Sequence, residues 1–155
     1  MIKERFISYV EDSIRKNWEI EALSNYREKG FTYREIAEIM VKQHIAFKEY
    51  GIREGDKIAL LGRNSANWCA IYLAVVTYGA VVVPILADFK PDDLHNILTH
   101  SDSTILFADD KLWESLDPEK LKDIQCVKSL DTFEMLMSRS EKITDIYKSL
   151  DEKFS

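Results

Sequence analysis

A chain of 155 residues, 46% hydrophobic and 31% charged, is long enough to fill one core of ordinary domain size. Its net charge of −6, with Lys and Arg spread along the chain, excludes the basic patch that a nucleic-acid binder presents. Cys69 and Cys126 lie in apolar segments, as buried thiols of a reducing compartment do, and the opening MIKERF carries both charges where a signal peptide needs an apolar run.

The first pattern is Phe6, Val10, Ile14 and Trp18 at four-residue steps. It predicts an amphipathic helix over residues 3–18 that must pack on something, which makes it the candidate contact for a homo-oligomer. Glu19 to Gly30 is less patterned and includes a loop. Thr32 then opens a well-marked helix. Thr32 and Glu35 fit a reciprocal capping box, and Phe31 can staple onto Ile36 across the cap. Ile36, Ile39, Met40 and Phe47 line one face, joined by His44. Nothing near His44 completes a metal site, so it reads as a core-edge histidine. Tyr50-Gly51 ends the helix and Gly55-Asp56 turns the chain into a strand.

Between Arg63 and Asp88 there is no charged residue at all. Lys57 to Leu61 has strand length, Gly62-Arg63-Asn64 is a turn, and Ser65 can cap a helix from Ala66 to Tyr78. Gly79 sits where a left-handed C-terminal cap is needed, and Val81-Val82-Val83 is a β-branched strand closed by Pro84. A transmembrane helix needs ~20 apolar residues, and Gly79 interrupts the run before that. The run is therefore a buried strand–helix–strand unit and not a transmembrane span.

Pro91 stands at a first helical position with Asp92 and Asp93 behind it, where carboxylates suit the positive helix end. Leu94, Ile97 and Leu98 form its buried stripe, leaving His95 and His100 at the surface. Thr104 to Phe107 is a third strand, followed by Asp109-Asp110 and a short helix with Leu112, Trp113 and Leu116. Ile124 to Val127 suits a fourth strand. Asp131, with Glu134 in capping-box position, predicts another short helix, and Ile143, Ile146, Tyr147 and Leu150 predict a final amphipathic one. The alternation predicts an α/β fold, a mostly parallel sheet of about four strands with helices on both faces.

Ligands of such sheets bind at the carboxyl ends of the strands, here Gly62-Arg63-Asn64, Pro84 to Lys90 and Ala108-Asp109-Asp110. With five glycines in the whole chain, none of these loops has the glycine density of a phosphate cradle. No Ser–His–Asp or Cys–His arrangement follows from the spacing. No catalytic, cofactor-binding or metal-ligating residue is assigned.

One series of residues carries further. Phe31-Thr32-Tyr33-x-Glu35, Gly51-Ile52-x-x-Gly55-Asp56-Lys57-Ile58-Ala59, Asn64-x-x-x-Trp68, Leu73-Ala74, Gly79 to Ile85 and Ile105-Leu106-Phe107 come in order. Together they resemble the N-terminal region of the acyl-adenylate-forming, AMP-binding enzymes, most closely the long-chain fatty acid–CoA ligases. The chain departs from that pattern at Asn67, where the family often has Glu, and at Leu86-Ala87-Asp88, where it often has small polar or aromatic residues.

The resemblance implies a parent enzyme that joins a fatty acid to the α-phosphate of ATP, with Mg, and then transfers the acyl group to coenzyme A. The family's phosphate loop, adenine segment, ribose-binding Asp and C-terminal lysine normally lie downstream of the matched region. The chain is accordingly expected to be a cytoplasmic fragment, inactive alone, with peripheral membrane attachment left open. It would comprise a helix and lead-in over residues 1–30 and an α/β subdomain over 31–155, with the ATP-site and C-terminal domains absent. The alternative is a freestanding flavodoxin-like signalling or interaction module using Asp109-Asp110 as a phospho-receiver pair. A receiver needs that pair after its first strand, and here it follows the third. A remnant of the family that serves only for oligomerisation is a third reading, motivated by the N-terminal helix.

Overall fold

The computed structural model describes residues 5–155. The amphipathic helix α1 (Phe6–Lys16) begins within the expected span, whose first residues, Lys3 and Glu4, lie outside the described part. Between it and the next helix the chain forms a small antiparallel hairpin of β1 (Glu21–Leu23) and β2 (Phe31–Thr32), where the sequence suggested a loop. The strands are too short to show a period of two, and this hairpin straddles residue 30, joining the lead-in to the α/β subdomain.

Helix α2 (Tyr33–Tyr50) starts at the expected capping box. The Glu35 N–H donates to Thr32 Oγ1 at 3.2 Å and the Thr32 N–H to Glu35 Oε2 at 2.7 Å. The Thr32 N–H holds the Glu35 carboxyl below its ordinary range. Gly51 closes the helix with φ of 97°, a conformation that favours glycine.

The central unit comes next as β3 (Lys57–Leu61), α3 (Ala66–Tyr78) and β4 (Val81–Ile85), with β3 and β4 parallel. Gly79 ends α3 at φ of 98°. Helix α4 (Pro91–His100) then carries the chain across to β5 (Ile105–Ala108) on the other side of β3, again parallel. After α5 (Asp110–Glu114) and a short 3-10 turn (Pro118–Lys120), β6 (Cys126–Ser129) adds a fourth parallel strand. The five-stranded sheet has the order β4-β3-β5-β6-β7.

Its last member, β7 (Met135–Ser138), is antiparallel to β6 and replaces the helix expected after Asp131. The cause is local. Ser129 Oγ accepts the N–H groups of both Asp131 and Thr132, and Phe133 adopts φ of 62°, so the chain reverses before a helical turn can form. Helix α6 (Glu141–Lys153), capped by Ser140, completes the fold.

Alternate residues of the strands feed two cores. Ile58, Leu60, Ile105, Phe107 and Cys126 face Phe47 of α2, Ile71 and Val75 of α3, and Ile143 and Leu150 of α6. On the opposite face Ala59, Leu61, Leu106, Ala108 and Val127 meet Leu94 and Leu98 of α4. A third cluster joins α2 to α3 through Ile36, Met40, Ala70 and Ala74, and Val10 and Ile14 of α1 rest on it. No residue of α1 is itself buried. No helix among the described residues is long and apolar enough to cross a membrane.

Two histidines show how context decides. His44 Nε2 donates to the Ala74 carbonyl at 2.9 Å, tying α2 to α3 as a core-edge histidine, and burial lowers its pKa. His95, expected at the surface, is buried, and its Nε2 accepts the Asp117 N–H at 2.8 Å. The segment after α5 folds back over α4 and covers it, a contact with no trace in α4's own periodicity. Cys126 is buried as expected and Cys69 is only half-buried.

Replacing Val75, which is fully buried between α3 and the sheet, with Asp should destabilise the protein by about 3 kcal/mol or more in a urea titration, because the new charge has no partner. Gly79→Val should cost about 1–3 kcal/mol through backbone strain. The nearest atom to an added Cβ there is Glu54 Cγ at 3.7 Å, so crowding adds nothing. Gly79→Asn should melt closer to the parent, since asparagine tolerates the left-handed region.

Candidate functional site

The strand order reverses at β3, with β4 on one side and β5 on the other, so the carboxyl end of β3 is the place where an open α/β sheet takes a ligand. Three segments meet there: Gly62 to Ser65 after β3, Asp109-Asp110 after β5, and Leu130-Asp131 after β6. The sequence pointed to the first two and read Asp131 as the cap of a helix.

The Asp109 carboxylate turns back toward β3 and accepts the Arg63 N–H at Oδ2 (2.9 Å). Partial burial raises its pKa; the Arg63 N–H opposes that and the Asp131 charge adds to it. Asp109 stands at the N-cap of α5 but makes no side-chain bond to that helix. Instead the Asp110 N–H donates to Asp131 Oδ2 at 2.9 Å. Gly62 permits this closure: a Cβ there would lie 2.6 Å from Asp109 Oδ1 and 2.7 Å from Leu130 Cδ1. The glycine is required by this close approach of the loops that follow β3, β5 and β6.

The start of α3 is closed as well. The Trp68 N–H donates to Ser65 Oγ at 3.0 Å, the expected cap, and the Ala66 N–H donates to Asn25 Oδ1 at 2.9 Å. Asn25 comes from the β1–β2 loop, a partner 41 residues away that no local pattern announces. Asn67 donates through Nδ2 to the carbonyls of Leu130 (2.6 Å) and Asp131 (3.2 Å), fastening α3 to the β6–β7 turn. A glutamate at position 67 would be an acceptor facing two acceptors, which gives the departure from the family pattern a physical meaning.

Four backbone donors at this edge, the N–H groups of Arg63, Ala66, Trp68 and Asp110, are thus already paired with side chains of this chain. Three carboxylates, Asp109, Asp110 and Asp131, gather at the same edge. Among the described residues no group of three or more His, Cys, Asp or Glu is arranged to hold a metal ion. The three carboxylates oppose the phosphates of a nucleotide, which need free N–H groups or cations. Arg63 and Lys90 are exposed and contribute only screened charge.

One polar residue that the sequence pattern did not single out lies away from this edge. Lys128 of β6 is 1% exposed, on the core face covered by α2 and α6. The strand expected over Ile124 to Val127 stops one residue short of it, whereas the observed strand, Cys126–Ser129, carries Lys128 into the core.

The fold and the loops can be set beside known proteins. Over 131 residues, 84% of its length, the chain is 28% identical to an acetyl-coenzyme A synthetase of Drosophila melanogaster and spans 19% of that protein. A long chain acyl-CoA synthetase of Arabidopsis thaliana is 28% identical over 80 residues, which is 52% of this chain and 12% of that one. The chain therefore spans about a fifth or less of these relatives. In three dimensions it superposes on a long-chain-fatty-acid-CoA ligase of Archaeoglobus fulgidus with a TM-score of 0.73 at 21% identity, covering 95% of this chain and 30% of the ligase. The profile of the AMP-binding enzyme family matches residues 10–152, which takes in every strand of the sheet and all three cores, and the chain belongs to that family as an N-terminal subdomain of an adenylate-forming enzyme.

Proposed function

We propose that this chain is the N-terminal part of an ATP-dependent long-chain fatty acid–CoA ligase and is catalytically silent alone. The observation that carries this reading is the carboxyl edge of the sheet in a chain of the AMP-binding family: Asp109, Asn25, Ser65 and Asp131 occupy four of its backbone donors, and three carboxylates gather beside them. The sheet is then a scaffold, and the groups that hold ATP, magnesium and coenzyme A belong to other parts of a parent polypeptide. The lead-in over residues 1–30 and the α/β subdomain over 31–155 together form that scaffold, in the cytoplasm.

The long-chain substrate rests on the residue pattern from Phe31 to Phe107 and on similarity to a long chain acyl-CoA synthetase. The reading as a freestanding phospho-receiver has no such support. The acidic pair it would use follows the third of the main sheet's expected strands in sequence order, and the Asp109 carboxylate of that pair is engaged with the Arg63 N–H.

Titration calorimetry of the 155-residue chain with Mg-ATP should show no submicromolar binding, and a pyrophosphate-release assay with palmitate should show no turnover. Tight binding or turnover by the chain alone would overturn the scaffold reading. The substrate is tested separately on a polypeptide that joins this segment to the rest of a ligase: kcat/KM should be higher for palmitate than for acetate or benzoate. The opposite preference would overturn the long-chain assignment and leave the scaffold intact.

A further inference from the structure

The buried lysine of β6 sits beneath the last helix. Lys128 Nζ lies 3.9 Å from the centroid of the Tyr147 ring of α6 and makes no ion pair among the described residues. Asp151, the carboxylate on α6 that attracts it, is bonded through Oδ1 to Lys42 of α2. Two cations thus share one carboxylate, and the less exposed cation is the one left without it. Helix α6 is otherwise held by the Tyr147 hydroxyl donating to Gln43 Oε1 at 2.9 Å and by Ile143, Ile146 and Leu150 in the core.

We propose that α6 is a latch governed by the charge on Lys128, seating firmly over the neutral amine and loosening over the ammonium. Docking α6 strips water from Lys128 and returns only the face of an aromatic ring, which offsets part of the desolvation of a full charge. The hydrogen bond and the apolar contacts of α6 do not depend on that charge, so they pull against it at every pH.

The groups facing Lys128 set the sign. From α6 these are Tyr147 and Asp151, from α2 Lys42, from β6 Cys126, and from the turn before β7 Glu134. Burial, opposed by Asp151, Cys126 and Glu134 and reinforced by Lys42, brings Lys128 down to about 8 from 10.5. The docked state therefore holds fewer protons than the undocked state between these values. Docking is weakest below pH 8, strengthens as pH rises through the window, and has no further gain above 10.5. Cys126 acts in the opposite sense: burial pushes its thiol up to about 12 from 9, so an undocked helix favours the thiolate once pH passes 9.

Amide hydrogen exchange of the full chain, corrected for the intrinsic pH dependence of exchange, reads the latch directly. If undocking returns Lys128 to its ordinary value, protection of the α6 amides should rise about tenfold from pH 7 to pH 9, or about fivefold net of Cys126. Amides of β3 and β5, which report global opening, should stay more strongly protected than those of α6 throughout. Lys128→Met should raise α6 protection at pH 7 and abolish the rise. A flat wild-type profile, α6 protection equal to that of β5, or a rise that survives in Lys128→Met would each overturn the proposal. The wild-type series stands by itself should that variant fail to fold.

Discussion

The structure depends on the burial of β3 from both faces and both edges at once. Ile58, Ala59, Leu60 and Leu61 are all fully inaccessible, and the strand pairs with β4 on one side and β5 on the other. Burying one large apolar side chain stabilises by about 1.5–3 kcal/mol, but only if a helix covers it. With Ile58 and Leu60 on one face and Leu61 on the other, α2, α3 and α6 must lie on the first and α4 on the second. The crossing from β4 over to β5 follows from that requirement, and it creates the reversal of strand order at the carboxyl edge.

The same geometry explains the hydrogen bonds at that edge. Strand ends that converge at a reversal leave backbone donors in a crowded place, and unpaired buried donors are costly. Asp109, Asn67, Asn25 and Ser65 satisfy them or their neighbouring carbonyls, drawing together three loops and the N-terminal hairpin.

The two ends of the chain are attached differently. Helix α1 contributes no buried residue and rests Val10 and Ile14 on the outer cluster, with its charges paired within the helix through Arg15–Glu11 and Lys16–Asp12. Helix α6 instead enters the main core and seals an ammonium beneath it. Its attachment is a balance between apolar burial and the cost of that charge, whereas α1 sets only partly buried apolar residues on its cluster.

Wherever the fold is dictated by neighbours in sequence, the chain could be read directly. The capping box at Thr32, the glycine stops at Gly51 and Gly79, the proline at the start of α4 and the uncharged strand–helix–strand unit all act within a few residues, through backbone conformation and local hydrogen bonds. The family resemblance was legible for the same reason, because its motifs lie in those same elements. Tertiary structure decided the rest. The Ser129 hydroxyl and the pairing of β7 on β6 turned an apparent helix cap into a hairpin, and the segment after α5 buried His95. Asn25 reached a helix 41 residues away, and α6 closed over a lysine just past the end of the expected fourth strand. In each case the deciding partner is distant along the chain, and burial depends on what covers a residue as much as on what the residue is.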